Sequence, residues 1–324
     1  MTTAALPRGS TIEWLMKEQA TPGTVATGNF ASTFIYDHGL EEAEPFEEDR
    51  LLGLARNNNR DQTAPADGLP NAAGPITFPV DLNHIGYVLK GVFGAPETAV
   101  DSGNYTHVFK SGLEAIPHWT MQNKLQNADF RQYDAVLMNT LGFEVSRAAG
   151  FQRCTVGTLF RKENKLTSSA GGTPAAALAR ASLAAAIGAV KIDTGSGFTL
   201  AGRLNSAGFN YDNKAKPQEY VNSKWVNGHD LDEPASANGA LNTRYANATY
   251  YDLARAKSVF GLQLLWEIGA NNSLTFEMPR VRMSPKGTPV AGPAGLDIAY
   301  DWRAEQSDSA PMLTVTLKNQ IAAY

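Results

Sequence analysis

Short apolar runs with a period of two recur along most of the chain. In LTVTLK (313–318), for example, apolar and polar side chains alternate strictly, as expected of a strand with one buried face. Gly, Asn, Asp and Pro bound these runs and indicate turns between strands. The predicted strands are 143–146, 155–160, 198–204, 262–268, 274–278, 296–302 and 313–318. The pattern therefore predicts a mainly β protein.

Helical spacing of apolar residues is confined to three segments. Residues 82–93 and 250–259 each predict a short amphipathic helix. The third segment, TPAAALARASLAAAIGAV (173–190), has Thr173 as a candidate cap and a proline suited to a first helical turn. Gly188 and the missing polar face weaken that helix. A linker, a strand and an added helix all stay open for this segment.

Two long polar connections separate the predicted elements. Residues 57–74 and 228–239 are rich in turn-forming residues and are longer than ordinary hairpin loops. Loops of that length usually have a function. The SSAGG sequence at 168–172 indicates a boundary, so we expect two units, residues 1–167 and 168–324.

The order of the predicted elements occurs twice. GPITFPVDLNHIGYVLKGVFG (74–94) and GALNTRYANATYYDLARAKSVFG (239–261) both begin with glycine and end with Val-Phe-Gly. Aligning Gly94 with Gly261 matches the segments 105–112, 116–122, 141–146 and 155–164 to 262–269, 272–279, 296–302 and 314–319. Agreement of element order over such a length favours duplication over a chance match. Since an open strand edge tends to pair with another chain, two such units are suited to forming a ring.

Composition narrows the classes of function. The chain has 324 residues, 43% of them hydrophobic, and a formal net charge of −4. It has no basic run, so we do not expect a nucleic-acid reader. Cys154 is the only cysteine, which excludes an internal disulfide and a thiolate-rich zinc site and suggests folding in a reducing cytoplasm. No apolar run suits a signal peptide or a membrane helix.

Four stretches together carry a family pattern. They are FEEDRLLGLA (46–55), YTHVFKSGLEAIPHWTMQ (105–122), FRQYDAVLMNTLGFEV (130–145) and the C-terminal LTFEMPRVRMSP, VAGPAGLDIAYDWRA and PMLTVTLKN. They resemble the tail tube proteins, also called major tail proteins, of long-tailed bacteriophages. The likeness extends over nearly the whole chain and includes no short diagnostic motif.

The resemblance implies a structural virion protein of the phage tail. Its fold would be mainly β, with two tandem tail-tube-like β-sandwich units, each with a flanking helix, joined into a ring-forming subunit. Stacked rings would form the tube through which DNA passes without specific binding. The internal repeat favours a trimeric ring with pseudo-sixfold symmetry over a hexamer. Tail terminator, distal tail and tape measure proteins are the other implied partners, with assembly in the host cytoplasm and no cofactor, metal or membrane.

The same resemblance implies that long loops and chain ends make the contacts between stacked rings. By position, the matching loop residues are Asn57, Asn58, Asn59, Arg60, Asp61, Asp230, Asp232 and Glu233. The N-terminal arm and residues 319–324 are further candidates. An acidic run, EEAEPFEEDR (41–50), is a solvated loop or an acidic surface at the lumen or between rings. Its acidic residues are Glu41, Glu42, Glu44, Glu47, Glu48 and Asp49.

Enzymatic chemistry finds little support in the sequence. The five histidines, His38, His84, His107, His118 and His229, form no HxH or HExxH spacing. Cys154 begins a predicted strand and suits a small core residue. The DTGSG sequence at 193–197 is similar to an aspartic protease motif, but that chemistry needs two such aspartates, and we interpret it as a turn. We therefore expect no enzyme.

A carbohydrate-binding or adhesive β-sandwich module is the rival hypothesis. Trp119, Trp225, Trp266 and Trp302 would then form a platform for sugar rings. Three of these tryptophans lie in predicted strands, where we expect them to point inward. Only Trp225, in the polar sequence NSKWVNGH, is placed to face a ligand.

Overall fold

The computed structural model describes residues 8–50, 61–126, 129–290, 292–293, 295–307 and 309–324. This part of the chain is mainly β, with two α-helices, α1 (Ile85–Phe93) and α2 (Thr249–Arg255). The strands are β1 (Glu13–Glu18), β2 (Ala31–Thr33), β3 (Asp37–His38), β4 (Glu41–Ala43), β5 (Phe46–Glu47), β6 (Ala66–Asp67), β7 (Asn71–Pro79), β8 (Glu97–Asp101), β9 (Asn104–Lys110), β10 (Trp119–Gln126), β11 (Asp129–Ser146), β12 (Arg153–Leu159), β13 (Lys162–Leu166), β14 (Ala189–Asp193), β15 (Thr199–Leu200), β16 (Leu204–Asp212), β17 (Lys216–Gln218), β18 (Gly228–Asp230), β19 (Ser236–Arg244), β20 (Phe260–Gly269), β21 (Asn272–Met283), β22 (Asp297–Ala304) and β23 (Thr314–Asn319). Short 3-10 helices span Gly9–Thr11 and Ala185–Ile187.

Alternation of apolar and polar residues sets which face of each strand is buried. In β22, Ile298, Tyr300, Trp302 and Ala304 are buried, and the residues between them are exposed or half-buried. The same alternation is present in β12 and β23. Because each strand contributes one apolar face, the core forms where these faces meet. The predicted β character and both short helices are confirmed.

One set of strand pairings occurs twice along the chain. Among residues before 168, the antiparallel pairs are β1–β2, β1–β10, β10–β11, β11–β12, β11–β13 and β7–β12. The pairs β14–β15, β14–β20, β20–β21, β21–β22, β21–β23 and β19–β22 follow in the same order. Likewise, β3 and β4 pair with β7, whereas β16 pairs with β19. The hairpin β8–β9, between α1 and β10, lies outside this correspondence.

Two neighbouring strands approach each other unusually closely at the same place in both sets. We call this place the strand crossing. A Cβ on Gly74 of β7 would overlap the carbonyl oxygen of Gly39, between β3 and β4. A Cβ on Gly239 of β19 would overlap the carbonyl oxygen of Gly208 in β16. Each crossing therefore requires glycine at the same place in the two sets of strands.

Both sets of strands share one apolar core. Strand β11 pairs with β16 from Thr140↔Asp212 to Ser146↔Ser206, and β9 pairs with β23. Across the first of these junctions the rings of Phe143 and Phe209 stack with centroids 4.7 Å apart. The main buried cluster contains residues from both halves of the chain. The halves are thus joined by main-chain pairing as well as by side-chain packing.

The structure corrects how the two halves align. Val-Phe-Gly at 92–94 closes α1, whereas Val-Phe-Gly at 259–261 leads into β20, because α2 already ends at Arg255. The two tripeptides are therefore not equivalent, and the alignment of strands built on them is wrong by one strand. The inserted β8–β9 hairpin displaces it, since the pairings match β10, β11, β12 and β13 to β20, β21, β22 and β23.

The alanine-rich segment is an extended connector, and its helical interpretation is wrong. Its backbone bonds to the first half of the chain: Ala175 N donates to Phe30 O at 2.8 Å, and Leu183 N donates to Val80 O at 3.2 Å. Leu183 is fully buried and anchors the connector. A sequence without a polar face gives a helix no preferred orientation, whereas extended backbone finds partners here.

Parts of the two predicted long loops belong to strands. Residues 71–74 lie in β7, residues 228–230 form β18, and residues 236–239 begin β19. Gly74 and Gly239, two of the glycines that indicated turns, lie at close contacts between neighbouring strands instead. The predicted strand at 198–204 is also divided, because Arg203 takes a positive φ of 56° between β15 and β16.

Candidate assembly surfaces

The acidic run forms a strand edge followed by a small two-stranded ribbon. Glu41 and Glu42 lie in β4, and Glu47 lies in β5, which pairs with β6 as a sheet of its own. Glu42 is half-buried, and its carboxylate accepts a hydrogen bond of 2.5 Å from the backbone N–H of Glu163. Burial raises the pKa of the Glu163 carboxyl, and the charge of Glu42 raises it further.

The rest of the acidic run lies on the β5–β6 ribbon. Glu48 accepts a hydrogen bond of 2.8 Å from Gln62, and the backbone oxygen of Asp49 accepts one of 2.9 Å from Thr63. The predicted contact residues Asn57, Asn58, Asn59 and Arg60 lie outside the described residues. Asp61 is exposed in the segment that leads to β6. The ribbon thus places carboxylates on an exposed projection.

A matching ribbon, β17–β18, lies before β19. The second predicted loop, 228–239, begins with β18, whereas β17 lies upstream of that prediction. Asp230 accepts a hydrogen bond from the Gln218 amide, and Glu233 forms an ion pair with Lys216. That ion pair lowers the pKa of Glu233 and raises the pKa of Lys216. Asp232 is exposed in the same turn. The ribbons precede corresponding strands, since β5–β6 precedes β7.

One ion pair joins the two ribbons. Lys224, in the loop between β17 and β18, binds the carboxylate of Glu44, just before β5. Lys162 lies over the ring of Trp225 at 4.9 Å from its centroid, and Lys224 lies at 5.9 Å. The structure therefore brings the acidic run against the loop between β17 and β18, 180 residues later in the chain. Sequence analysis missed Lys224, because a lone lysine in a polar stretch carries no signal.

Large apolar side chains are exposed on both ribbons. Phe46 of β5 is 73% exposed, and Tyr220, in the β17–β18 loop, is 60% exposed. The adjacent Val221 has its whole side chain in solvent. Clustered apolar exposure on a projecting element is typical of a surface that another protein covers.

The structure also contains an exposed strand edge. All five residues of β8 are exposed, and within the described residues this strand pairs only with β9. Val100 in its centre is 66% exposed. A strand edge of this kind offers free N–H and C=O groups to another strand.

The four tryptophans of the rival hypothesis do not form a platform. Trp119, Trp266 and Trp302 are buried, as predicted from their strand positions. Trp225 is half-buried and lies beneath two lysines. Stacking of sugar rings needs several exposed aromatic faces, and this arrangement offers at most one.

Residues considered for catalysis occupy structural positions. The pKa of the buried Cys154 thiol is raised to about 12 by desolvation, so the thiolate is scarce at neutral pH. Asp193 accepts hydrogen bonds from the N–H groups of Gly195 at 2.7 Å and Gly197 at 2.9 Å, as in a turn. The described residues hold no group of three or more His, Cys, Asp or Glu that could bind a metal ion.

Two histidines from opposite halves stack near the second ribbon. The ring centroids of His118 and His229 are 5.7 Å apart, and their planes differ by 20°. Burial, and then the nearby His118, lower the pKa of His229 to about 4. Burial also lowers the pKa of His118. Both rings are therefore neutral at pH 7 and act as packing groups.

The chain matches the model of a known protein family over most of its length. Residues 9–304 match the family model described as phage tail tube protein. The chain belongs to this family. A search of curated proteins finds no match to the chain. Membership in a tail tube family implies a structural component of the virion tail that assembles into a tube. In the described part of the chain, neither helix has the length and apolarity to cross a bilayer.

Proposed function

We propose that this protein assembles into stacked rings that form the phage tail tube, through which DNA leaves the capsid during ejection. The observation that carries the proposal is the family match over residues 9–304, together with the main-chain pairing of β11 with β16. That pairing shows how the edge of one set of strands extends the sheet of another. Repeated between chains, it would satisfy backbone groups at every open edge.

The ring is proposed to contain three chains with pseudo-sixfold symmetry. Support comes from the two corresponding sets of strand pairings, assigned to residues 1–167 and 168–324 as copies of one unit. Three chains with two units each give six similar positions around an axis. A ring of six chains is the alternative, with twelve units.

Contacts between stacked rings are assigned to the two ribbons. They carry Phe46, Tyr220 and Val221 in exposed positions, and the ion pair of Lys224 with Glu44 holds them side by side. Apolar groups with a charged rim are typical of protein interfaces. The described candidates Asp61, Asp230, Asp232 and Glu233 lie on or next to these ribbons.

The acidic balance suits a DNA conduit. With a net charge of −4, the chain has more acidic than basic residues and no excess of cations to bind phosphate. Each phosphate contact would add salt-dependent affinity and would retard a moving DNA. We therefore propose passage of DNA without specific binding. Tail terminator, distal tail and tape measure proteins are the proposed partners at the tube ends and in the lumen.

Negative-stain microscopy of concentrated purified protein tests the proposal. Rings or tubes of uniform diameter are expected, since ring closure fixes the number of chains. Monomers that stay featureless across a wide range of concentration and salt would contradict it. Addition of the sugar mixtures used for lectins, followed by calorimetry, tests the carbohydrate-binding alternative, for which no heat of binding is expected.

A further inference from the structure

We infer that residues 285–290 of one copy pair, as an antiparallel strand, with residues 38–43 of a neighbouring copy. This inference rests on the proposed assembly and specifies its interface. The template lies within the chain, where β11 pairs with β16. The residues that follow β21 correspond to that part of β11, and β3 with β4 corresponds to β16.

The correspondence of β11 with β21 is fixed by register. Val136 of β11 lies opposite Trp119, the first residue of β10, and Val281 of β21 lies opposite Phe260, the first residue of β20. Two residues further, Met138 lies opposite Thr158 and Met283 lies opposite Trp302. Strand β11 has a β-bulge between Met138 and Thr140, and at the corresponding place Ser284 N donates to Asp301 O at 2.8 Å. With the same bulge there, residues 140–145 of β11 correspond to residues 285–290.

The correspondence of β16 with β3 and β4 is fixed in the same way. At the two strand crossings, Gly208 lies against Gly239 in the same way that Gly39 lies against Gly74. The pair Asn210↔Asn238 then matches the pair of Glu41 with Ala73. Residues 206–212 therefore correspond to residues 37–43.

Both proposed partner segments are open in the single chain. Within the described residues, 285–290 form no strand pairing, and all but Thr288 are exposed. In the same part of the chain, β3 and β4 pair with β7 and with no other strand. At the corresponding place within the chain, β11 and β16 pair with each other over seven residue pairs. The same two strand edges are therefore paired at one place and unpaired at the other, which points to a second chain as the partner of the unpaired edges.

The prolines of the segment fit this pairing. Asn213 N donates to Asn139 O at 2.9 Å, so that pair is hydrogen-bonded and bonding alternates from there along β11. Thr140 and Glu144 are consequently in non-bonded pairs with β16. Their counterparts are Pro285 and Pro289, which have no N–H to donate. The prolines thus occupy the positions that do not need a donor.

Charge also favours the pairing. The template register places Lys286 opposite Glu42 of the neighbouring copy, and opposite charges facing each other across strands are stabilising. Asp37 and Glu41 lie on the same edge. On the other chain, Arg280 and Arg282 are paired with Glu305, and Lys286 lies 3.8 Å from Asp301 at the surface. Lys286 is therefore the one cation of the segment that meets the acidic edge.

A disulfide cross-link tests the register. Gly287 would lie opposite Glu41 of the next copy in a non-bonded pair, at a Cα separation of about 4.5 Å, which a disulfide spans. The full-length Glu41→Cys/Gly287→Cys variant should give covalent multimers on a non-reducing gel after mild oxidation. The matched control, Glu41→Cys/Val290→Cys, shifts one partner by three residues, about 10 Å along the strand, and should stay monomeric on the gel. Buried Cys154 is present in both.

Microscopy of the same samples separates two kinds of failure. Tubes without covalent multimers, or with equal multimers in the control, would overturn this pairing and leave the tube function standing. Failure of the unmodified chain to form rings or tubes would overturn both.

If the cysteine substitutions themselves block assembly, a second pair of variants tests the strand pairing between copies. Thr288→Pro removes an N–H from a bonded position, whereas Gly287→Pro changes a non-bonded position with open space around it. Thr288→Pro should lower the yield of sedimented tubes at least tenfold, and Gly287→Pro should leave it near that of the unmodified chain. Equal yields from the two variants would contradict the pairing.

Discussion

Gly74 and Gly239 occupy the same position in two equivalent strand crossings. Each lies so close to the carbonyl oxygen of a glycine on the crossing strand that a Cβ would overlap it. The match is independent of side-chain similarity, because it depends on backbone geometry alone. It supports the interpretation of the two sets of strands as copies of one unit.

The first prediction concerns these crossings. Gly239→Ala should lower the free energy of unfolding by about 1–3 kcal/mol, because the backbone of Gly208 would have to move. Gly74→Ala should have a similar effect. Gly269→Ala is the matched control, since a Cβ there meets open space. Denaturant unfolding measures all three, and equal stability of Gly239→Ala and the control would contradict the close crossing.

The second prediction concerns pH. The pKa of His229 is lowered to about 4 in the folded state, below the value of about 6.5 for an exposed histidine. The unfolded chain therefore binds more protons between these values, and stability falls as pH decreases through that range. This group should contribute a loss of about 2 kcal/mol between pH 7 and pH 5. Unfolding of His229→Gln at both pH values should lack that part of the loss. An unchanged pH dependence would show that His229 is not buried as a neutral ring.

The third prediction concerns residues 319–324, which the resemblance implied as a stacking contact. The ring of Tyr324 lies against Gly86 of α1, and Lys90 Nζ donates to the Tyr324 backbone oxygen at 2.8 Å. Asn319 Nδ2 donates to Leu82 O at 2.6 Å. Tyr324→Ala should lower the free energy of unfolding by about 1–3 kcal/mol through lost packing.

Tyr324→Phe is the control for this position, because it keeps the ring and removes the hydroxyl. It should cost about 1 kcal/mol, as measured by denaturant unfolding. If both variants unfold like the unmodified chain, the docking of this segment on α1 does not stabilise the subunit.

The fourth prediction concerns the ribbons. Glu44→Lys and Lys224→Glu each place like charges at the junction of β5–β6 with β17–β18. Thermal unfolding of the subunit should change little, because exposed ion pairs contribute little to stability. The concentration needed for tube formation should rise severalfold in each single variant and return in the double variant. A double variant as impaired as the single ones would show that the ion pair does not position the ribbons.

Much of the fold could be predicted from periodicity. The alternation in β22 and β23 gave their buried faces correctly, because half-buried strands leave a period-two pattern. Strand β11 was predicted only at its end, over 143–146. Its middle is buried on both faces, from Gln132 to Met138, so no alternation marks it. Its bend at Ala135, with a positive φ of 50°, has no signal in an alanine.

The candidate surfaces were predicted less completely. The acidic run and the loop at Asp230 were chosen for their polarity, and both lie on exposed ribbons. The role of Lys224 depends on a tertiary contact with Glu44, which sequence separation hides. The segment 285–290 was unremarkable by composition. Its interest comes only from the position it shares with β11, which the misleading Val-Phe-Gly match obscured.

The central claim is that paired copies of one β unit build a ring from three chains. Cryo-electron microscopy of assembled tubes, with mass photometry of single rings, tests it most directly. We expect three chains per ring, six similar lobes around the axis, and density joining residues 285–290 of each chain to residues 38–43 of the next. A ring of six chains, or one with no strand pairing between chains at these segments, would contradict it.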